Sequence, residues 1–215
     1  MSKLYVLVEG HGEVQAVQNL LTRISWEMEC FSPWSTPLRW QNLHRWEAAR
    51  GGVRRGADFI RGKSDVGGLL ILRDEDDGCP ADLAPSIAGR LQGMDLPFPV
   101  AYVLLHPEYE VLFLPCIEQM TGQFPDGRSG LLSGTAWNEK SWEARRGVKE
   151  WLSKHFPDGR SYKPTMDQLV MTRKIDLPTL RAADVPCFGS LERAVRLLCR
   201  NIGISRQVYP GVEGA

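Results

Sequence analysis

Three segments of the chain share one pattern, an apolar run without charged residues that leads into acidic residues. The runs cover residues 4–8, 68–72 and 100–105. Apolar runs of this length, without alternating polar positions, are typical of strands that are buried on both faces of a parallel sheet. The pattern therefore predicts three parallel strands.

Helical spacing follows each of these runs. After the first run, apolar residues recur three and four positions apart at Val14, Val17, Leu20, Leu21 and Ile24. This spacing predicts a helix from Glu13 to about Trp26. Two further helices are predicted over residues 81–91 and from the HPEYE segment at 106–110 through residue 118.

The last third of the chain carries helical patterns over residues 142–152, 166–171 and 191–198. Strand–loop–helix units in series, followed by helices, indicate an α/β fold with a mainly parallel sheet flanked by helices and a helical C-terminal third. We expect residues 1–215 to form a single domain, with a helical C-terminal extension over about residues 140–205.

Acidic side chains follow all three predicted strands. Glu9 follows the first, the run Asp74 to Asp77 follows the second, and Glu108 and Glu110 follow the third. The carboxyl ends of parallel strands meet at one edge of a sheet, where ligands bind. Two carboxylates about 4 Å apart repel by roughly 4 kcal/mol at an effective dielectric near 20, so such a cluster needs a proton or a cation. The alternative is that these acids only cap the helices that follow the strands. The convergence of all three groups of acids at one edge of the sheet favours a cation site.

Charge and composition limit the partners. Lys+Arg and Asp+Glu both total 26, so no global positive field attracts a polyanion. Between the first two units, however, tryptophans alternate with basic residues, among them Arg39, Arg45, Arg54 and Arg55. This segment is either a nucleic-acid surface or a set of core tryptophans beside solvated arginines.

Cysteine usage bears on the compartment. The five cysteines are odd in number, widely spaced and without a C-x-x-C pair, which predicts free thiols and a cytoplasmic protein rather than a disulfide framework. The first apolar run reaches Glu9 too soon for a signal peptide, and no later run is long enough for a membrane span. We therefore expect no membrane association.

Two other folds that bind nucleotides or phosphate fit this pattern poorly. Lys63 follows a glycine, but the segment lacks the buried strand and the glycine spacing of a P-loop. A phosphatase of the haloacid-dehalogenase type requires an aspartate nucleophile after the first strand, where this chain has Glu9. The phosphatase interpretation stays only as a weaker alternative.

Several blocks of sequence resemble a known family. The blocks are VEGHGEVQAV at 8–17, ILRDEDDGCP at 71–80, EYEVLFL at 108–114, the lysine of RRGVKEWL at 145–152 and YKPTMDQ at 162–168. They resemble an uncharacterised TOPRIM-like family, related to the TOPRIM domain of OLD-type nucleases and often paired with ATPases in bacterial defence loci. The resemblance implies a TOPRIM-like Rossmannoid domain.

The same resemblance implies roles for individual residues. Asp74 and Asp76 would ligate Mg²⁺ or Mn²⁺, and Glu13 and Glu110 are candidates for a second metal ion. Glu9 would act as general acid or base, or as a further ligand. Lys149 and Lys163 would stabilise negative charge in the transition state; the alternative is that both are ordinary surface lysines. Arg73, in front of Asp74, departs from the family pattern and is expected to pair with Asp74 or Asp76 and weaken metal binding.

The function implied by the resemblance is divalent-metal-dependent cleavage of phosphodiester bonds in DNA or RNA. The chain would be the effector subunit of an anti-phage system that acts with an AAA- or ABC-type ATPase. The alternative is a non-catalytic or regulatory partner of such an ATPase that keeps the fold without turnover, which fits the neutral net charge.

Overall fold

The computed structural model describes residues 2–31, 33–139, 141–143, 146–203 and 206–211. Its centre is a five-stranded sheet in the order β2-β1-β3-β4-β5, in which all neighbouring strands are parallel. The strands are β1 (Lys3–Val8), β2 (Leu38–Arg39), β3 (Val66–Asp74), β4 (Val100–Leu105) and β5 (Val208–Tyr209). The three strands predicted from the apolar runs are therefore confirmed, and they form the centre of the sheet.

Helices connect the strands and form most of the last third of the chain. They are α1 (Glu13–Glu27), α2 (Val53–Arg61), α3 (Pro80–Gln92), a 3₁₀ helix (Tyr109–Met120), α4 (Val148–Lys154), a 3₁₀ turn (Pro157–Gly159), a π-helical turn (Pro164–Gln168), α5 (Leu169–Thr172), α6 (Leu177–Ala182) and α7 (Pro186–Arg200). The predicted α/β class, with a parallel sheet flanked by helices and a helical C-terminal third, is confirmed.

The sheet has a hydrophobic core on each face. Leu70 and Leu72 of β3 point toward α1, the 3₁₀ helix and the C-terminal helices. Leu69 and Ile71 point the other way, toward α2 and α3. Because successive side chains of a strand face opposite sides, an uninterrupted apolar run supplies both cores.

Two predicted helices differ in detail. The helix after β4 is a 3₁₀ helix with Pro115 inside it and a non-helical backbone at Cys116; proline lacks the N–H that an α-helix requires. The helix predicted over 142–152 begins only at Val148, after Gly147 in a left-handed conformation at φ 72°. Residues 144 and 145 of that prediction lie outside the described residues.

The expectation of free thiols is wrong for two of the five cysteines. Cys30, just beyond α1, and Cys199, in the last turn of α7, form a disulfide, and Cys79, Cys116 and Cys187 are free. The two partners are 169 residues apart in the sequence, so only the packing of α1 beside α7 brings them together. Among the described helices, none is long and apolar enough to cross a membrane.

Candidate active site

Acidic side chains from three strands converge at the carboxyl edge of the sheet. Glu13 opens α1 after β1, Asp74 is the last residue of β3, and Glu108 and Glu110 open the segment after β4. We call these four residues, together with Lys149 of α4, the acidic cluster. Of the acidic residues predicted to converge from the strand ends, the structure brings Asp74, Glu108 and Glu110 together around Lys149, whereas Asp76 and Asp77 are exposed.

Lys149 lies among the carboxylates. Its Nζ is 2.8 Å from Oε2 of Glu108, 3.3 Å from Oε2 of Glu110 and 3.5 Å from Oδ2 of Asp74. The backbone N–H of Lys149 also donates to Oε1 of Glu108 at 3.1 Å. Burial alone would lower the pKa of Lys149, but the charges of Glu110, Asp74 and Glu108 outweigh burial and hold that pKa well above its ordinary value.

Glu110 is the most enclosed member of the acidic cluster, with 0% of its surface exposed. Its Oε1 accepts hydrogen bonds from the Tyr162 hydroxyl at 2.8 Å and from Nε2 of Gln168 at 3.1 Å. Its Oε2 has no hydrogen-bond donor and only the neighbouring Lys149 charge. Burial raises the pKa of Glu110, and the ammonium of Lys149 opposes that rise.

Glu13 and Asp74 also have raised pKa values. Burial raises the pKa of Glu13 to about 7, the negative charge of Glu110 adds to the rise, and the backbone N–H of Gly10 opposes it. Burial, followed by the charges of Glu13 and Glu110, places the pKa of Asp74 well above its ordinary value. Oδ1 of Asp74 accepts a hydrogen bond from the backbone N–H of Tyr109 at 2.8 Å. One ammonium therefore does not neutralise the four carboxylates.

Glu9 lies beside the acidic cluster and faces the loop after β2. Its Oε1 accepts a hydrogen bond from the backbone N–H of Leu43 at 2.6 Å and lies 3.8 Å from Nδ1 of His44. The side chain is 30% exposed, and its charge contributes to the raised pKa of Glu13. Glu9 is thus the solvent-accessible carboxylate next to the buried ones.

A family model covers nearly all of this architecture. The model, described as a domain of unknown function (DUF4276), matches residues 8–196, a range that includes Glu9 and the whole acidic cluster. The chain belongs to the DUF4276 family. No curated protein and no solved structure gives a significant match. A relation between this DUF4276 chain and the TOPRIM domain stays a prediction.

Three groups of predicted residues lie outside the acidic cluster of this DUF4276 protein. Asp76 is exposed in the loop before α3, and among the described residues it forms no hydrogen bond or ion pair with the cluster. Lys163 is exposed, and its backbone is held by hydrogen bonds: its N–H donates to Oδ2 of Asp167 at 2.8 Å, and its carbonyl accepts from the N–H groups of Met166 and Asp167. The four predicted arginines are exposed and lie in β2, in the loop that follows it and in α2: Arg39, Arg45, Arg54 and Arg55.

The expected pairing of Arg73 with the metal ligands is wrong. Arg73 forms its ion pair with Glu75, and its Nε donates to the Tyr102 hydroxyl at 2.7 Å. It reaches Asp74 only through that residue's backbone carbonyl. Arg73 and Asp74 are adjacent in an extended strand, so their side chains point to opposite faces of the sheet. The Asp74 carboxylate therefore remains available to the cluster.

Sequence reasoning missed residues that close the cluster of this DUF4276 chain. Tyr162 and Gln168 lie in the YKPTMDQ block and donate hydrogen bonds to Glu110. The sequence predicts a role only for the lysine of that block. Gly12 lets that block approach α1, since a Cβ there would lie 2.6 Å from the carbonyl oxygen of Pro164. A glycine before a helix and a polar residue four positions beyond Pro164 were the available signals.

The cluster offers the chemistry of a divalent-cation site. Carboxylate oxygens are the donors that Mg²⁺ and Mn²⁺ prefer. The hydrogen-bond vacancy at Glu110 Oε2 and the raised pKa values of Glu13 and Asp74 mark an excess of negative charge. Within the described part of the chain, no three His, Cys, Asp or Glu side chains are arranged as a ready metal site. The Lys149 ammonium instead contacts three of these carboxylates, those of Asp74, Glu108 and Glu110.

Proposed function

We propose that this protein is a divalent-metal-dependent phosphodiesterase that cleaves nucleic acid. The observation that supports this function is the acidic cluster, where carboxylates from three parallel strands meet with one lysine at the edge where such folds bind ligands. The resemblance of the sequence blocks to TOPRIM-like nucleases points to the same chemistry. Whether the substrate is DNA or RNA is decided by the assay below.

Asp74, Glu13 and Glu110 are the side chains that would hold Mg²⁺ or Mn²⁺. Such an ion lowers the pKa of water and neutralises charge on phosphoryl oxygens, which is the chemistry that phosphodiester hydrolysis requires. Asp76, although exposed, lies two residues beyond Asp74, and its predicted role as a ligand stays part of the proposal. Tyr162 and Gln168 would keep Glu110 in place through their hydrogen bonds to Oε1.

The remaining roles belong to basic and acidic side chains at the rim. Lys149, 35% exposed, would turn from the carboxylates toward the phosphoryl group and stabilise its negative charge. Glu9, held by the Leu43 N–H and open to solvent, would take or give a proton during cleavage. Lys163, exposed beside the π-helical turn, would contact the substrate as a second cation.

A cleavage assay tests the function directly. The purified protein is incubated with supercoiled plasmid, single-stranded DNA and total tRNA in the presence of Mg²⁺ or Mn²⁺, and with EDTA. Cleavage is expected with metal only, and Asp74→Asn is expected to abolish it. Asp77→Asn is the matched control, since Asp77 is exposed three residues later and pairs with Arg146. Asp76→Asn reports whether that exposed acid takes part.

Metal-dependent cleavage that survives Asp74→Asn would contradict the assignment of the acidic cluster. No cleavage of any substrate, by the chain alone or with an ATPase partner and ATP, would reject the nuclease function. Equal loss in Asp77→Asn would show that the charge of the loop matters rather than the cluster. Folding of every variant is checked by circular dichroism before the comparison.

A second candidate function is supported by Lys149 itself. Its ammonium already neutralises part of the acidic cluster without a metal, which is the arrangement expected of a non-catalytic subunit that keeps the fold. In that case Mn²⁺ would bind no more tightly to the wild-type protein than to Asp74→Asn. Isothermal titration calorimetry of the two proteins distinguishes the candidates.

The partner and the location remain part of the proposal. By the resemblance, the chain would be the effector of a cytoplasmic anti-phage system that acts with an AAA- or ABC-type ATPase. Co-expression with a candidate ATPase of that type, followed by size-exclusion chromatography, is expected to yield one complex. Phage protection lost with Asp74→Asn, in cells that contain both subunits, would support catalysis; protection retained would favour the non-catalytic candidate.

A further inference from the structure

A strongly basic segment lies beside the acidic cluster in this otherwise neutral protein. Residues 39–63 carry seven arginines and lysines against two acidic residues, a net charge of +5 in a chain whose net charge is zero. All seven cationic side chains are exposed: Arg39, Arg45, Arg50, Arg54, Arg55, Arg61 and Lys63. The chain is therefore neutral only as a whole: this segment is positively charged, and the remaining residues carry a compensating net negative charge.

Aromatic rings lie within this positive segment. Phe59 of α2 is 43% exposed, and its ring centroid is 5.2 Å from that of Trp40, with 31° between the ring planes. Nζ of Lys63 lies 4.4 Å from the Phe59 centroid. Arg55, Phe59 and Lys63 are four residues apart, so they share one side of the helix and its end. We call Arg39, Trp40, Arg55, Phe59 and Lys63 the α2 surface.

The α2 surface is continuous with the catalytic edge of the sheet. A depression of about 440 Å³ is lined by His11, Arg39, Trp40, Gln41 and Gly51. Arg39 also donates from Nε to the backbone carbonyl of Glu9 at 3.1 Å. Trp40 thus belongs both to this depression and to the ring pair with Phe59. A chain that leaves the acidic cluster past Glu9 would meet Arg39 and then the rings.

The cations of this surface are available to a ligand. Arg54 and Arg61 are paired with Glu47 and Asp58. By contrast, Arg39, Arg55 and Lys63 form no ion pair within the described part of the chain. Arg39 and Arg55 are exposed, and the Lys63 ammonium lies over the exposed Phe59 ring, where an incoming base would displace it. Cations beside an exposed ring are the combination that takes a phosphate together with the base attached to it.

We propose that the α2 surface binds single-stranded nucleic acid, with an unpaired base stacked on Phe59 and phosphates held by Arg39, Arg55 and Lys63. The inference deepens the proposed function and rests on it, since it names the form of the substrate. In a duplex the bases stack on each other and present only their edges, so an exposed ring has no face to stack on. The Phe59 ring would therefore give the preference for unpaired strands, and the three cations would give most of the affinity.

A second exposed aromatic pair provides the contrast. Trp26 and Phe31 are 67% and 70% exposed, with ring centroids 5.9 Å apart. They lie at the end of α1, which packs on the opposite face of the sheet from α2. Their neighbours in the chain include Glu27 and Glu29, so acids accompany these rings. Phe31→Ala is therefore a control that removes the same side chain from a more exposed position without the surrounding positive charge.

The test measures binding without cleavage. Fluorescence anisotropy in EDTA compares a labelled single-stranded oligonucleotide with the same sequence as a duplex. The wild-type protein is expected to bind the single strand more tightly. Phe59→Ala and Phe59→Leu are expected to weaken that binding at least about fivefold, whereas Phe59→Trp preserves it. Arg55→Met is expected to weaken binding and to reduce the salt dependence by about one phosphate contact, and Phe31→Ala is expected to bind as the wild type does.

Several outcomes would overturn the inference. They are absence of binding by the wild-type protein, duplex binding as tight as single-strand binding, or unchanged affinity in both Phe59→Ala and Phe59→Leu. Equal affinity for a poly-glutamate peptide would identify an acidic protein partner instead. Because EDTA removes the metal, the assay measures binding separately from cleavage, and Asp74→Asn is expected to retain binding. If the nuclease proposal fails, the binding result still tests the α2 surface. If the α2 surface does not bind, the cleavage assay still tests the nuclease proposal.

Discussion

Lys149 offsets part of the negative charge of the acidic cluster, and its substitution is the most direct test of that cluster at the residue scale. Lys149→Met would leave Asp74, Glu108 and Glu110 without their cation. We expect a loss of about 2 kcal/mol in the free energy of unfolding at about pH 8 in EDTA, since solvent screens part of a one-third exposed ammonium. Urea unfolding followed by fluorescence measures the loss.

Lys154→Met is the matched control for that experiment. Lys154 lies at the end of the same helix and is exposed, so its loss should leave stability within about 0.5 kcal/mol of the wild type. Added Mn²⁺ is expected to restore much of the stability of Lys149→Met by replacing the missing positive charge. A Lys149→Met protein as stable as the control, with or without metal, would show that the carboxylates are neutral without Lys149.

Glu13 gives the protein a pH dependence with a defined sign. Its pKa is about 7 in the folded chain against 4.5 as the ordinary value, so the folded state binds the proton more tightly. The contribution to stability is therefore full below about pH 4.5 and is lost as pH rises through 7. In EDTA, we expect Glu13→Gln to remove on the order of 2 kcal/mol of this decline, measured by urea unfolding at about pH 5 and pH 8.

Glu118→Gln serves as the control, because Glu118 is exposed on the 3₁₀ helix and its substitution should leave the pH profile unchanged. A wild-type protein whose stability does not decline between these two pH values would contradict the burial of a protonated Glu13. The measurement is made without divalent metal, since a bound cation would favour the ionised carboxylate and reverse the trend.

At the scale of elements, the approach of α1 to the π-helical turn depends on Gly12. A Cβ at that position would lie 2.5 Å from Oε1 of Gln168 and 2.6 Å from the carbonyl oxygen of Pro164. The second of these atoms belongs to the backbone and cannot rotate away. Gly12→Ala is therefore expected to destabilise the protein by about 1–3 kcal/mol and to displace Gln168 from Glu110.

Gly62→Ala is the matched substitution for this comparison. Gly62 also has a right-handed backbone, and its added Cβ would meet ordinary contacts at 3.5 Å or more. Thermal unfolding of the two variants is expected to separate them by several degrees, with only Gly12→Ala shifted down. Equal melting temperatures would mean that the π-helical turn accommodates the added Cβ without loss of stability.

The elements differ in how far the sequence alone predicts them. The buried strands and α1, α3 and α7 are long and strongly patterned, so apolar runs and helical spacing are sufficient. β2 and β5 have only two residues each, too few for a periodicity. Their pairing is set by the neighbouring strand, which is a property of the assembled sheet rather than of local sequence.

The acidic cluster follows the same division. Asp74 and Glu110 were predictable because strand ends converge in a parallel sheet, whereas Glu13, the first residue of α1, was expected only from the family resemblance. The exposure of Asp76 depends on the turn after β3, in which Glu75 accepts a hydrogen bond from the Gly78 N–H at 2.8 Å. The contacts of Tyr162 with Glu110 join residues 52 positions apart, and no local pattern encodes such a distance.

For the molecule as a whole, the disulfide between Cys30 and Cys199 closes a long loop, since its two cysteines are 169 residues apart. Crosslinks of distant residues stabilise by restricting the unfolded chain, and long loops give the larger effects. We expect the double variant Cys30→Ser/Cys199→Ser to lose about 3–5 kcal/mol, measured by urea unfolding without reductant. Cys79→Ser, at an exposed free cysteine, is the control and should behave as the wild type.

Reductant provides the second arm of this experiment. Dithiothreitol is expected to lower the wild-type stability to that of the double variant and to leave the variant unaffected. Identical curves for the wild type with and without dithiothreitol would show that the two thiols are not bonded. In a reducing cytoplasm both thiols would stay free. The proposed location therefore predicts that the reduced, less stable protein is the form that functions in the cell.

The two-residue edge strands have a consequence for how the molecule meets its own copies. The sheet ends in β2 on one side and in β5, followed by Pro210, on the other. A long unpaired edge is a template on which another chain can add a strand, and short edges bounded by proline remove that template. The five-stranded sheet therefore resists fibrillar growth, even though its central strands are continuous apolar segments of the kind that aggregate when exposed.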